Sequence, residues 1–283
     1  NDANAIKRAT QLATVSTSDV YLVATSSAIA DMNNNPLEPI NTTNAQNAAG
    51  FNPDSTSPTL ESFVVNMTNG VITLSFSETV NASSVTPQQF TLVNSTTIGG
   101  RFSYVAIPAD AVVSASNSEF VQIWIPAEEL NAIKIRYSLC TKTEDCFVIV
   151  NDGAVLDMNG NAVVSLLDGS AQQAASFAID ETQPELLSFD VLMPTGSPPL
   201  VFTFTFSESI DVESFNISGL VLYSDENATQ TFRLSEGTTV QDTLVPTILT
   251  TTLSLGQHDA INTSAGLGRG RDSTVIVIEQ SLV

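Results

Sequence analysis

Oxygen ligands recur along this chain at spacings that suit a hard cation. Asp31 is followed by Asn33 and Asn35, and Asp157 by Asn159 and Asn161. Glu78 and Glu208 each follow a Phe-Ser pair, and Asp54 and Asp180 stand in two matching connectors. Calcium binds carboxylate and carbonyl oxygens, so Asp31, Asp157, Glu78, Glu208, Asp54 and Asp180 form a candidate calcium set. The Asp-x-Asn-x-Asn spacing opens like an EF-hand loop, but its twelfth position is Thr42 in one copy and Asp168 in the other. Without the bidentate glutamate an EF-hand is excluded. The competing reading needs no metal: an Asx-rich turn whose side chains bond nearby backbone. No other cofactor is expected.

Catalytic residues are scarce. His258 is the single histidine, and the matching stretch of the preceding repeat lacks it. A Ser-His-Asp triad needs that base, but no nucleophile-elbow glycines accompany it, so His258 reads as an exposed loop residue. Glu128/Glu129 and Glu144/Asp145 read as solvated turn carboxylates, since no spacing sets two of them across a cleft. The run Gly266–Arg271 has glycines but no helix after it, which makes a hairpin turn rather than a phosphate loop. The chain is not expected to be an enzyme.

Cys140 and Cys146, the only cysteines, lie between the strand-like runs Ala132–Leu139 and Phe147–Val150. The pair is predicted to form a disulfide closing a hairpin loop, which places the chain in an oxidising, extracellular setting. Two thiolates without a nearby histidine leave zinc under-coordinated. Asn-x-Ser/Thr sequons occur at Asn41, Asn66, Asn81, Asn94, Asn216, Asn227 and Asn262. About five would arise by chance in so Ser/Thr-rich a chain. However, Asn94 and Asn227 both follow corresponding strand-like runs, where an acceptor is accessible. N-linked glycans are the expected modification.

The elements that must position these groups come from a repeat. Residues 31–58 and 157–184 align without a gap and agree at 12 of 28 positions. Pro58-Thr-Leu-Glu-Ser-Phe63 answers Pro184-Glu-Leu-Leu-Ser-Phe189, and Asn4-Ala-Ile-Lys7 answers Asn131-Ala-Ile-Lys134. Offsets of 126 to 130 residues are domain-sized, so each unit can fold as a bead. Alternation in Val71–Phe76 and Leu200–Phe206 predicts half-buried strands. Further β runs are Phe63–Met67, Phe90–Val93, Phe102–Ile107, Phe120–Ile125, Ile133–Leu139 and Phe147–Val150, with Ala127–Asn131 a short helical possibility. Trp124 is predicted to lie in the core. The connectors from Asn35 to Pro58 and from Asn161 to Pro184 are equally long, so Phe51 and Phe177 within them are expected to pack across the junctions.

Pro-x-Leu-x-Ser-Phe, then Phe-Ser-Glu-(Thr/Ser)-(Val/Ile), then Asp-Met-x-x-Asn resembles tandem immunoglobulin-like repeats of extracellular proteins. Bacterial adhesins and surface-layer proteins carry relatives of it. The resemblance implies an all-β fold of tandem immunoglobulin-like β-sandwich domains in an extended array. It departs from antibody-type domains in its cysteines, six positions apart rather than bridging two sheets. Residues 1–57 would be the last strands of an incomplete repeat plus connector, 58–183 a complete repeat plus connector, and 184–283 a third repeat without its last segment. Two strands cannot close a sandwich, so the first segment is expected to find partners elsewhere, in the same polypeptide or by strand exchange. Asn1 in place of a start methionine suggests a processed chain or part of a longer one, with no signal peptide visible.

Thirty acidic against nine basic residues give a net charge of −21, which repels nucleic acids and anionic membranes. No apolar run is long enough to span a bilayer. The sequence therefore reads as a structural segment of an extracellular fibre or cell-surface appendage, assembled head to tail with copies of itself. The alternative is a cell-surface adhesin or carbohydrate-binding array.

Overall fold

The computed structural model describes residues 2–9, 12, 16–100, 103–192, 199–224, 230–242, 244–264, 267 and 274–278. They form two compact units, Asn1–Pro126 with Ser138–Asp180 and Ala127–Tyr137 with Glu181–Val283. The fold is mostly β. In chain order the first unit holds α1 (Asp2–Lys7), β1 (Tyr21–Leu22), β2 (Gln46–Asn47), β3 (Leu60–Asn66), β4 (Val71–Val80), β5 (Phe90–Val93), β6 (Tyr104–Ala106), β7 (Val112–Val113) and β8 (Ser118–Trp124). Helix α2 (Ala127–Lys134) belongs to the second unit, after which β9 (Phe147–Val150), β10 (Gln172–Gln173) and β11 (Ser176–Ala178) return to the first. The second unit continues with β12 (Leu186–Leu192), β13 (Val201–Phe206), β14 (Leu220–Tyr223), β15 (Thr231–Arg233), β16 (Gly237–Gln241), β17 (Ile248–Leu253), α3 (Leu255–Thr263) and β18 (Val275–Ile278).

Side-chain alternation builds the cores. Strand β4 buries Ile72, Leu74 and Phe76, and β13 buries Phe202, Phe204 and Phe206, while the residues between them stay half-exposed. Each fully buried phenylalanine contributes roughly 1.5–3 kcal/mol.

The two units repeat one topology. In the first, a sheet ordered β11-β3-β4-β8-β7 accompanies one ordered β10-β9-β5-β6. In the second, β12-β13-β17-β16 accompanies β15-β14-β18. Strand for strand, 3-4-8-7 answers 12-13-17-16 and 9-5-6 answers 18-14-15. Even the register shift is copied, falling between Leu60 and Ser62 in one and Leu186 and Ser188 in the other. Among the described residues all strand pairings are antiparallel except β11 on β3.

Residues 16–48 reproduce a third copy of the last part of the repeat. Strand β1 pairs with β2 as β9 pairs with β10. The bridges Ala24↔Ile40 and Ala30↔Pro36 lie 126 residues before Val150↔Leu166 and Leu156↔Ala162.

Several expectations need correction. Ile133–Leu139 is not a strand: Ala127–Lys134 is helical, with Glu128 and Glu129 in its first turn, Lys134 in its last, and Leu130 and Ile133 buried on one face. The Cys140–Cys146 disulfide forms, but it closes a loop between the turn after α2 and β9, not a hairpin. Trp124 is not a core residue; Val121 and Ile123 take the inner face of β8, leaving Trp124 36% exposed. His258 is not on an exposed loop but is buried on α3. Phe102 and the glycines of Gly266–Arg271 lie outside the described residues.

Candidate functional site

The repeated string Asn-Ala-Ile-Lys is where the chain concentrates buried charge. In the first unit α1 ends in Lys7, whose ammonium lies 2.6 Å from Asp54 Oδ2 and donates to Glu78 Oε2. Oxygens of Asp54, Glu78 and Asp157 all lie within 4.8 Å of one another. Three of the six candidate calcium ligands thus converge, and a lysine supplies positive charge among them.

Each member is held by its element. Asp157 accepts from the backbone N–H of Asn159 (2.8 Å) and Asn161 (2.7 Å) and from Asn161 Nδ2 (2.8 Å). Asn161 Nδ2 also reaches the Asp54 carbonyl at 3.1 Å, fastening the connector to this loop. Glu78 sits near the end of β4, and the adjoining Thr79 hydroxyl donates to the Asn4 carbonyl at 3.2 Å. Asn4 Nδ2 donates to Glu119 at 2.8 Å, and Arg8 pairs with the other oxygen of Glu119.

The electrostatics follow from geometry. Burial pushes the Glu78 carboxyl above its ordinary range, reinforced by Asp54 and Asp157 and only partly offset by Lys7. Burial also raises Asp54, but its bonds to Lys7 and Thr56 outweigh that and leave it lowered. For Lys7 burial works downward, and the bonds and charges of Asp54 and Glu78 carry it upward overall.

The second unit repeats the lysine–glutamate pair. Lys134, at the end of α2, donates to Glu208 Oε2 at 2.9 Å, with both side chains mostly buried. Asn131 accepts from the Ser209 backbone N–H at 3.0 Å, and the Tyr137 hydroxyl donates to Asp211 at 3.3 Å. The Asp211 charge raises the Tyr137 phenol. At the corresponding helix of the next repeat, α3, Asn131 becomes Asp259 and Lys134 becomes Asn262. Asn262 bonds His258 Nε2 at 2.9 Å, and Gln257 ties the helix to Ser235 and Glu236 of its own unit.

Asp31 and Asp180 lie outside the group formed by Asp54, Glu78 and Asp157. Asp31 makes the same turn as Asp157, accepting from Asn33 N–H, Asn35 N–H and Asn35 Nδ2 at 2.8–2.9 Å, which holds its carboxyl below the usual range. That is the Asx turn, formed identically in both copies. Asp180 is half-buried at the end of the second connector. Phe177 lies in β11, opposite Val65 of β3, and Phe51 is half-buried outside any helix or strand. Among the sequons, Asn41, Asn216 and Asn262 are exposed and Asn66, Asn81 and Asn94 half-buried, with Asn227 outside the described residues. Asn66, Asn81 and Asn216 each accept a turn N–H with the amide oxygen, leaving the amide nitrogen out of that bond.

Sequence reasoning found the acids but missed Lys7, Lys134 and Asn131. The available signal was the copying of a lysine in a chain with only nine basic residues.

No protein-family model matches this sequence, and no curated protein does. Among solved structures, the N-terminal part of the bacterial S-layer protein SbsC matches with a TM-score of 0.29 and 14% identity over 80% of this chain and 45% of that one. Domains 1-6 of the same surface layer protein match with a TM-score of 0.29 and 11% identity over 80% and 26%. A marsupial T cell receptor matches with a TM-score of 0.19 and 12% identity over 77% and 68%. This chain spans less than half of the surface-layer chains, and overlaps this loose carry no argument about activity. Among the described residues no helix is long and apolar enough to cross a membrane.

Proposed function

We propose that this chain is a structural segment of an extracellular or cell-surface array of tandem immunoglobulin-like β-sandwiches, assembled head to tail. One observation carries the reading: the Asn-Ala-Ile-Lys helix of one repeat sits on the Phe-Ser-Glu of the next, at Lys7 with Glu78 and at Lys134 with Glu208. Each compact unit in this reading takes its Asn-Ala-Ile-Lys helix from the repeat before it. Three chain crossings, after Pro126, Tyr137 and Asp180, then link the two units covalently.

The immunoglobulin-like assignment rests on strand order. Sheet orders of 3-4-8-7 and 10-9-5-6 support it, since they match the strand orders expected of the two sheets of such a sandwich. Phe51 and Phe177 stiffen the junctions in this reading, and N-linked glycans coat the surface.

Negative-stain electron microscopy of the native material tests it. Linear filaments with a repeat of one bead are expected, and Lys134→Met should make them visibly more flexible. Discrete closed particles, or filaments whose bending is untouched by Lys134→Met, would overturn this reading.

A further inference from the structure

The outer face of the first unit's five-stranded sheet carries aromatic surface that the fold does not need. Phe120 is 60% exposed, Trp124 36% and Val112 63%. The face is not simply apolar, because Gln122 stands between the two aromatic residues and bonds Thr73 on the neighbouring strand at 3.5 Å. The strand register sets what else lies there. Val112 is opposite Trp124, Trp124 opposite Val71, and Val71 opposite Asn66. Residues directly opposite on adjacent strands share a face, so the Asn66 sequon lies in the same row as Trp124. Two strand spacings of about 4.8 Å separate them, with only the short Val71 side chain between.

The second unit provides an internal control. Its corresponding row reads Leu192 opposite Val201 and Val201 opposite Thr252. Where the sequon is absent the tryptophan is absent too, and both units form the same sheet. Neither residue is therefore there for the fold.

We infer that the Asn66 glycan lies back along this row and packs a sugar face on Trp124. This rests on the reading of the chain as a glycoprotein. Attachment forms a bond from Asn66 Nδ2 to the anomeric carbon of an oligosaccharide carried on a lipid diphosphate. It breaks that carbon's bond to phosphate and releases the amide proton with the lipid diphosphate. The Asn66 amide oxygen stays on the Thr68 and Asn69 N–H groups, at 2.9 and 3.3 Å, which fixes the root of the glycan at the rim of the sheet. A sugar ring offers an apolar face to the indole and hydroxyls to Gln122 and Thr73. No charged residue stands in these rows, so a neutral sugar meets no penalty on a chain of net charge −21.

Trp124 is the only tryptophan, so its fluorescence reads this site alone. The folded glycoprotein should show a red-shifted emission maximum and faster quenching by acrylamide once an amidase removes the glycan and converts Asn66 to Asp. Asn66→Asp, which keeps the turn acceptor, should emit at the shifted wavelength from the outset and not respond to the enzyme. Trp124→Thr, the residue the second unit already uses, keeps the fold and should increase the glycan's mobility by NMR. Mass spectrometry reporting an empty Asn66 overturns the glycoprotein premise at this position, and with it the packing. An occupied Asn66 with unmoved emission overturns the packing alone.

Discussion

Lys7 is one cation paired with two carboxylates, Asp54 and Glu78, and its removal tests the clasp most directly. Truncating one partner of a fully buried pair costs about 3–5 kcal/mol. Lys7 keeps some access to water, so Lys7→Met should lower stability by roughly 2 kcal/mol, measured by urea unfolding. The loss has a defined pH dependence. The folded-state pKa of Lys7 lies above 10.5, so its contribution is complete below about pH 10.5 and disappears as pH rises through the raised value. The gap between wild type and Lys7→Met should therefore be constant from neutral to mildly alkaline pH and close at the alkaline end. On the acid side Asp54, lowered from 3.8, keeps its contribution above that value and loses it as pH falls through the folded one. Glu78, raised from 4.5, runs the opposite way, because its buried charge disfavours the fold until it is protonated. Calcium enters at the same place. A divalent ion at Asp54, Glu78 and Asp157 must first displace the ammonium, so a chelator should leave the wild-type melting temperature unmoved. Lys7→Met, by contrast, should gain a melting temperature that rises with calcium.

At the level of elements, α2 docks through Asn131 as well as Lys134. Asn131→Ala leaves the Ser209 N–H without its acceptor, at a cost of about 1–3 kcal/mol. Asn131→Asp restores an acceptor oxygen and should recover most of that, with hydrogen exchange at the Ser209 amide following the same order. Alternation made most strands legible in the sequence: Val71–Phe76 and Leu200–Phe206 form β4 and β13, and Phe90–Val93 and Phe147–Val150 form β5 and β9 as written. Helix α2 was legible only in its first part, Ala127–Asn131; its end was not, because Ile133, Ile135 and Tyr137 alternate with polar residues and imitate a strand. Helix formers and an acidic first turn win over that short pattern. Trp124 was misplaced for a related reason. Bulk argued for the interior, but the period of β8 had already committed Val121 and Ile123 to it. The acids of the candidate site were visible as repeated letters, whereas the role of their cation was not, since Lys7 and Glu78 stand 71 positions apart and meet only on folding.

For the whole molecule the decisive feature is the face of residues 16–48 that the described residues leave exposed. Leu22, Val23 and Ile29 are 61%, 52% and 66% exposed. Their counterparts one repeat later, Val148, Ile149 and Val155, are 0%, 5% and 0% exposed. The local fold is the same in both places, so the difference is the sheet that covers it. In the later copy that sheet includes β5, paired along β9. The matching edge of β1 pairs with no such strand among the described residues. An open strand edge beside an apolar face is a template for strand addition, and a repeat protein carries many strands of the required kind in its own other copies. Purified chain should therefore self-associate reversibly as concentration rises in analytical ultracentrifugation. Leu22→Asp with Val23→Asp should return it to monomer while leaving the melting of both units unchanged, because neither residue contributes to their cores. Closed dimers in place of an open-ended series would point to a mutual exchange rather than head-to-tail growth. Growth untouched by the two aspartates would place the contact on a different surface.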